Sequence, residues 1–496
     1  MIPASTPADR TRLRAYLEKH LHEGFFSKHY GSYMMPIFVQ EYFAIFRAPQ
    51  KIPGSMPHGM SFQNFVVDRE FDWQWSVKEM QATRAQLFAA LEKDLEFGKK
   101  LYQMYQQGFA VFDERARAEE ELRLEDFTPA QIVQHLLELI NAAGEQGMGY
   151  TVDCLLSFSD DDWFKNHVNK YAGQALAPDD VEILRAPTHR SFVNSYALRL
   201  LAERCRQNQG VDIAAGIEQI VREYYWVENN YLKALPKTAK QVRAEINNLS
   251  DAEHKYAEEQ ERLHRAVIAK ENVFQKISAT PLLRSFVQFA DDCTFIQDCR
   301  KQAVLRLNHF NINYLGRLAE LVQFDPELIQ YVMFNELEEF LQDPARWQHI
   351  TVERRAGCLA VFDSQGYAIF LRDELKDLDL SNFFPDLSGL QELKGMTASP
   401  GKVTGTARII LGSDQFHQFQ AGEILITNQT TPDFVPLMKK AAAVVAEQGG
   451  VTSHAAIVSR ELGIPCIVGA KKAMAVFVSG EQVEVDATKG LIRKVS

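Results

Sequence analysis

The stretch Gly449-Gly450-Val451-Thr452-Ser453-His454-Ala455-Ala456-Ile457-Val458-Ser459-Arg460-Glu461-Leu462-Gly463-Ile464-Pro465 constrains this chain more than any other. Paired glycines permit a tight backbone turn. Two hydroxyl residues and a histidine follow, then an apolar run with helical spacing. Gly463 and Pro465 stand in the order expected where a helix stops. The spacing therefore puts His454 in the first turn of a helix. Backbone N–H groups without intrahelical partners and the positive end of the helix dipole collect there. A phosphate bonded to that histidine would be held at such a place.

The rest of the chain has to accommodate that loop. A length of 496 residues suggests about three domains at ~150 residues each. A hydrophobic content of 46% is ample for large cores. The 54 Lys and Arg against 65 Asp and Glu leave a diffuse net charge of -11, which argues against a nucleic-acid surface. Six scattered cysteines form no CxxC pair, so neither a zinc site nor a disulfide framework is signalled; reduced thiols in a cytoplasmic protein are expected. Met1-Ile2-Pro3-Ala4-Ser5 lacks the basic segment and apolar core of a signal peptide. No apolar run reaches the length of a membrane span.

As far as about Asp343 the chain reads as almost wholly helical. Leu13, Tyr16, Leu17 and Leu21 share one face. Phe25 to Phe46 reads as a packed helix pair, the alternative being an apolar substrate pocket of Phe, Tyr and Met. Pro49 to Pro57 reads as a loop. Helical periodicity resumes near Val77 and runs to about Glu121, and Pro129 opens a helix that Asn141-Ala142-Ala143-Gly144 should break. Asp160, Asp161 and Asp162 could ligate a metal, but such a cluster is more often a solvated turn or cap; no metal site is expected. Thr188 to Arg206 and Ile213 to Lys233 read as helices, and Gln241 to about Asn272 as a long charged one. In Leu282 to Phe310, Phe286, Phe289, Ala290, Cys293 and Ile296 recur at helical spacing. Asp298, Arg300 and Lys301 on the same helix read either as substrate-binding groups or as a surface ion pair. Gly357 to Leu371 reads as a β-hairpin turning at Asp363-Ser364-Gln365-Gly366. Arg354 and Arg355 could meet phosphate, a paired surface charge being the preferred reading. Asp377 to Glu392, with Pro385 and Gly389, reads as a hinge linker.

The last hundred residues change character. Gly395-Met396-Thr397-Ala398-Ser399-Pro400-Gly401 opens a series of short strands. Gly422 to Thr427 reads as a strand, Thr431-Pro432-Asp433 as a helix cap, and Ala442 to Ala446 as a buried strand delivering the chain to the glycine turn. Strands at Cys466–Val468 and Val483–Val485 complete a small α/β domain.

These residues resemble the phosphohistidine, or swivelling, domain of the PEP-utilising enzymes, such as phosphoenolpyruvate synthase, pyruvate phosphate dikinase and rifampin phosphotransferase. The opening Gly395–Ile410, the Thr431-Pro432-Asp433 element and the Gly449–Ala456 loop follow the family's motifs in order from about Gly395 to Leu491. The resemblance implies a large helical, substrate-binding region (1–343), a hairpin and hinge (344–392) and an α/β phosphohistidine domain (393–496). It also implies that His454 is the catalytic phosphoryl carrier, with Gly449, Gly450, Thr452 and Ser453 positioning the phosphate. A histidine suits that role, being nucleophilic at neutral pH and forming a labile phosphoramidate. Glu447, just ahead of the glycines, would orient the loop. Asp298, Arg300 and Lys301 match the family's substrate domain in layout as much as in letters.

Relatives of this kind add an ATP-grasp or PEP-binding domain. No Gly-rich phosphate loop with a following Lys-Ser/Thr and no glycine-rich ATP-grasp hairpin is legible here. The expectation is a split phosphotransferase: a separate ATP- or PEP-dependent partner, supplying the nucleotide or PEP with Mg2+, charges His454, and the domain swings to a small organic acceptor in the helical region. The alternative is a carrier or regulatory protein with no substrate site of its own.

Overall fold

The structure, a computed structural model, describes residues 6–20, 25–31, 61–65, 70–145, 163–229, 234–363, 366–378, 387, 389–430, 434–450 and 453–495. The chain divides into two compact units, one formed by Met1–Lys28 and Ser32–Leu378, the other by Asp379–Ser496 with His29–Gly31.

The first unit is built on a helix of 42 residues, Pro281–Val322. Thr280 caps its start by accepting a hydrogen bond from the Leu283 N–H at 3.2 Å, and Pro281 sits in the first turn, where it lacks only an N–H that would go unused. Gln323 ends it in the left-handed conformation at φ 55°. At 1.5 Å per residue the helix is about 63 Å long, and other helices cover it on several sides. Leu283, Phe286, Phe289, Cys293 and Ile296 pack with Leu87, Leu101, Tyr105 and Trp163 in one core. Each such large side chain contributes about 1.5–3 kcal/mol on full burial.

The expected helices are present with shifted ends. Val77–Lys93 and Phe97–Glu120 are separate, divided at Asp94–Glu96. Pro129–Glu145 runs straight through the Asn141–Gly144 segment expected to break it, with Ala143 buried at 0% exposure. The long charged helix is two, Ala239–Asn248 and Ala252–Lys276.

The N-terminal region is not wholly helical. Strands β1 (Phe25–Gly31), β2 (Ser61–Phe65), β3 (Glu70–Ser76), β4 (Cys358–Phe362) and β5 (Tyr367–Leu371) form a sheet of order β1-β3-β2-β4-β5. The helix pair expected from Phe25 is therefore corrected to a strand at its start; residues 32–60, including the Pro49–Pro57 loop, lie outside the described residues, as does Asp160–Asp162. The 358–371 hairpin forms as expected, turning at Asp363, whose N–H reaches the Gly366 carbonyl at 3.0 Å. It is not a linker element, however. β4 pairs along its length with β2, from Ser61↔Phe362 to Phe65↔Cys358. The helix Pro7–His20 is also tied to this region, Arg12 bonding Asp363 at 2.9 Å and Arg14 bonding Asp377 at 2.6 Å. Most of the proposed hinge, residues 379–386, lies outside the described residues.

The second unit holds an eight-stranded sheet of order β6-β13-β12-β8-β9-β10-β11-β7. Its strands are β6 (Glu392–Lys394), β7 (Met396–Ser399), β8 (Lys402–Ile409), β9 (Ile424–Thr427), β10 (Ala443–Ala446), β11 (Cys466–Val468), β12 (Gln482–Asp486) and β13 (Leu491–Lys494). The central four, β8 to β11, are parallel. β9, β10 and β11 are buried along their whole length, as strands covered on both faces require. Leu425, Val444, Cys466 and Val468 pack on one face with Ala455 and Ala456 of the helix His454–Leu462. Ile424, Ile426, Val445 and Ile467 pack on the other with Phe477 and Val485.

Gly490 is a position in this unit where a side chain would bring strain. Gly490 has φ 64°, and a Cβ there would lie 2.3 Å from the Gly395 carbonyl oxygen. The Gly490 carbonyl in turn accepts from the Gly395 N–H at 2.8 Å, joining the β12–β13 turn to the start of β7. Gly490→Ala is expected to destabilise the unit by about 2–3 kcal/mol, read as a lower urea midpoint with unchanged slope.

Candidate functional site

The parallel strands bring three loops to one edge. In a parallel sheet the carboxyl ends of neighbouring strands open onto a common crevice. β9 leads to Thr430, β10 to the glycine turn and His454, and β11 to Gly469 and the short turn Ala473–Val476. Backbone hydrogen bonds hold these exits together: the Glu447 N–H to the Thr427 carbonyl at 3.0 Å, Gln448 N–H to Asn428 at 2.8 Å, and Ala470 N–H to Ala446 at 3.1 Å. Glu447 is 3% exposed, and its Oε1 accepts from the Met474 N–H at 2.7 Å. It fastens the β10 exit to the β11 exit, an orienting role.

The loop itself is shaped by its glycines. Gly449 has φ 103°, and a Cβ there would fall 2.7 Å from both Cβ and Oγ of Ser453. The Ser453 N–H bonds the Gly450 carbonyl at 2.9 Å. Ser453 is the N-cap of the helix His454–Leu462, in extended conformation, but its side chain makes no capping bond. Its Oγ is buried without a hydrogen-bond partner among the described residues. A hydroxyl so placed can serve a group not yet there. His454 is the first helical residue and is half-buried. The helix stops as the sequence predicts: Gly463 adopts φ 67°, its N–H reaching the Arg460 carbonyl at 3.2 Å. Thr452, Thr431 and Asp433 lie outside the described residues.

A residue not singled out from sequence completes the arrangement. Oγ1 of Thr430, 7% exposed, lies 2.8 Å from Nδ1 of His454. The contact fixes the ring's orientation and engages Nδ1, so a proton on that nitrogen would leave the lone pair on Nε2.

The triad expected in the helical unit is not one site. Asp298 Oδ2 accepts from the Phe192 N–H at 2.8 Å, at the start of the helix Phe192–Asn208. Burial pushes its carboxyl above the usual range, against the Phe192 N–H and the charge of Lys301. Asp298 lines a cavity of about 640 Å³ to which Arg300 and Lys301 do not contribute, and Lys301 is exposed. Arg354 is no phosphate ligand in waiting and no surface residue. It is buried against Glu336 at 2.7 Å and donates to the Tyr331 carbonyl at 2.8 Å. Among the described residues, no group of three or more His, Cys, Asp or Glu is arranged to hold a metal ion. No helix among them is long and apolar enough to cross a membrane.

Comparison with known proteins bears on the second unit. The model of the PEP-utilising enzyme, mobile domain, matches residues 419–490. Phosphoenolpyruvate synthase of Pyrococcus furiosus is 52% identical over 102 residues, covering 21% of this chain and 12% of that enzyme. A probable phosphoenolpyruvate synthase of Archaeoglobus fulgidus is 50% identical over 100 residues, 20% of this chain and 13% of that protein. Phosphoenolpyruvate synthase of Synechocystis sp. is 34% identical over 183 residues, 34% of this chain and 22% of that enzyme. The chain thus spans between 12% and 22% of the length of these relatives. Among solved structures, aconitase X of Thermococcus kodakaraensis (holo-form) matches over 21% of this chain and 98% of that one, at 18% identity and a TM-score of 0.17. The glycine turn and His454 lie inside the matched segment, so the C-terminal unit is similar to the mobile domain of the PEP-utilising enzymes.

Proposed function

We propose that His454 carries a phosphoryl group, received from a separate ATP- or PEP-dependent protein and passed to a small organic acceptor in the helical unit. The observation that supports this best is the 2.8 Å contact between Thr430 Oγ1 and His454 Nδ1 at the start of a helix. With Nδ1–H donating to the threonine oxygen, Nε2 attacks phosphorus and the donor's bridging P–O bond breaks. The phosphoryl oxygens then face the first N–H groups of the helix and the Ser453 hydroxyl. The Gly449-Gly450 turn leaves room for them. Mg2+ and the nucleotide or PEP would come with the charging protein, for which the sequence ahead of the mobile domain offers no phosphate loop. On the return step the N–P bond breaks toward the acceptor hydroxyl, and imidazole leaves neutral.

Thr430→Val keeps the side chain's shape and removes its oxygen. It is expected to slow uptake of label roughly 10- to 100-fold through loss of ring orientation, and Thr430→Ser to restore most of the rate. Incubation with a purified ATP-grasp protein and γ-labelled ATP, or with labelled PEP, followed by small hydroxyl compounds, tests the whole reading. An enzyme takes up acid-labile label and discharges it onto one compound. A carrier with no substrate site takes up label and discharges it onto none. A chain that takes up no label from either source overturns both.

A further inference from the structure

The first unit ends at a point held by charge. The short turn Arg372–Leu375 is followed by Lys376, Asp377 and Leu378, and the second unit begins at Asp379. The helix Pro7–His20 lies against β5, just ahead of that turn. The helix is itself well fixed. Its start carries a reciprocal pair of bonds, the Asp9 N–H to Thr6 Oγ1 at 3.1 Å and the Thr6 N–H to Asp9 Oδ2 at 3.0 Å. Leu13 and Leu17 are both buried at 0% exposure. Arg12 grips the hairpin turn with two bonds to Asp363, each of 2.9 Å.

Arg10 and Arg14 stand four residues apart, and so on one face of the helix. Arg10 donates to the Ile369 carbonyl and pairs with Glu374, its guanidinium 4.9 Å from the centre of the Phe370 ring. β5 is last in the sheet order, and among the described strands it pairs with β4 alone. The bonds from the Asp363 N–H to Gly366 and from the Arg372 N–H to Gly357 set the phase of that pairing, which turns the Ile369 carbonyl away from β4. Arg10 thus covers an acceptor on the edge of the sheet. Arg14 donates to the Glu374 carbonyl at 2.6 Å and to the two Asp377 oxygens at 2.7 and 2.6 Å. The two kinds of contact differ in strength. Leu13 and Leu17 are shut off from water, whereas the side chains of the Arg10–Glu374 and Arg14–Asp377 pairs are between 30% and 65% exposed. Exposed pairs are weak singly and are screened by salt. The arginines can therefore release the turn while the helix stays docked.

We propose that Arg10 and Arg14 form a releasable ionic clasp that fixes where the first unit ends, and that its release adds residues 372–378 to the connection between the two units. At about 3.4 Å per extended residue, that segment adds about 24 Å of reach. In a carrier whose histidine travels between a charging protein and an acceptor, this length sets how far the histidine goes. That consequence rests on the proposed function; the clasp itself does not.

The test uses the full chain without any phosphoryl donor. Amide hydrogen exchange of residues 372–378 is followed by mass spectrometry, and the maximum dimension of the chain by X-ray scattering. Arg14→Gln is expected to speed exchange of 372–378 about tenfold, through loss of the charge-assisted bonds, and to leave exchange in the helix Pro7–His20 unchanged. Salt at about 0.5 M should bring the wild type within about twofold of the variant. Arg14→Glu combined with Asp377→Arg re-forms the pair with its charges exchanged, and should return exchange to within about threefold of the wild type. At low salt the maximum dimension of Arg14→Gln should grow by up to about 20 Å. Unchanged exchange in Arg14→Gln, or no recovery in the exchanged pair, overturns the clasp. Exchange that rises equally in the helix overturns its release as a separate event. Faster exchange with an unchanged maximum dimension overturns its part in reach. With no donor present, each result is independent of whether His454 takes up a phosphoryl group.

Discussion

His454→Ala is expected to reduce uptake of acid-labile phosphoryl label to background, a loss on the order of 10³-fold or more. No neighbour can substitute. In the proposed transfer the nucleophile sits at the helix start, where backbone N–H groups point outward, with Thr430 Oγ1 2.8 Å from its Nδ1. Ser453 is adjacent, but a phosphoserine would be acid-stable and would not pass its group on. The variant should fold normally, because His454 is half-buried at the edge of a core whose contacts come from Ala455 and Ala456. His454→Gln should behave the same way while keeping a polar group near Thr430. Residual acid-labile uptake above about a tenth of the wild-type rate would place the carrier elsewhere.

The second large effect concerns stability. Arg354→Met is expected to cost about 3–5 kcal/mol, measured by urea denaturation. The Arg354 and Glu336 side chains are 10% and 16% exposed, and two bonds at 2.7 and 2.8 Å join them. The same guanidinium donates to the Tyr331 carbonyl and lies 5.6 Å from the Trp347 ring. It thus ties the turns at Ile329–Tyr331 and Phe334–Glu336 to the helix Pro344–Ala356. Removing the cation alone leaves a largely buried carboxylate, and that is the source of the cost. The double variant Arg354→Met with Glu336→Leu should recover part of the loss, since it removes both charges.

The second unit was readable because its signals are local. Glycine turn, hydroxyls, histidine, helical run and Gly-then-Pro stop all lie within one segment, and the short apolar strands around it belong to a sheet covered on both faces. Thr430 was not readable, because it lies 24 residues before His454 and meets it only when β9 and β10 pair in parallel. The N-terminal sheet is a different case. Phe71, Trp73 and Trp75 alternate with Asp72 and Gln74, a period-two pattern set in a region that otherwise reads as helical. The pairing of β2 with β4 joins segments some three hundred residues apart in sequence; periodicity reports which segments are strands, not which will be neighbours. Asp298 shows the limit for charged groups on helices. Spacing grouped it with Arg300 and Lys301, whereas packing gave it a backbone N–H from another helix and a cavity the other two do not line.

In the proposed function Nε2 of His454 carries the phosphoryl group. The direct measurement is phosphorus NMR of the full chain, with 15N-histidine incorporated, after charging by an ATP-grasp protein with ATP or by PEP. The expected result is a phosphoramidate signal coupled to one histidine nitrogen, Nε2, and absent from His454→Ala. A phosphate ester signal that persists in acid, or coupling to Nδ1, the nitrogen held by Thr430, would contradict it.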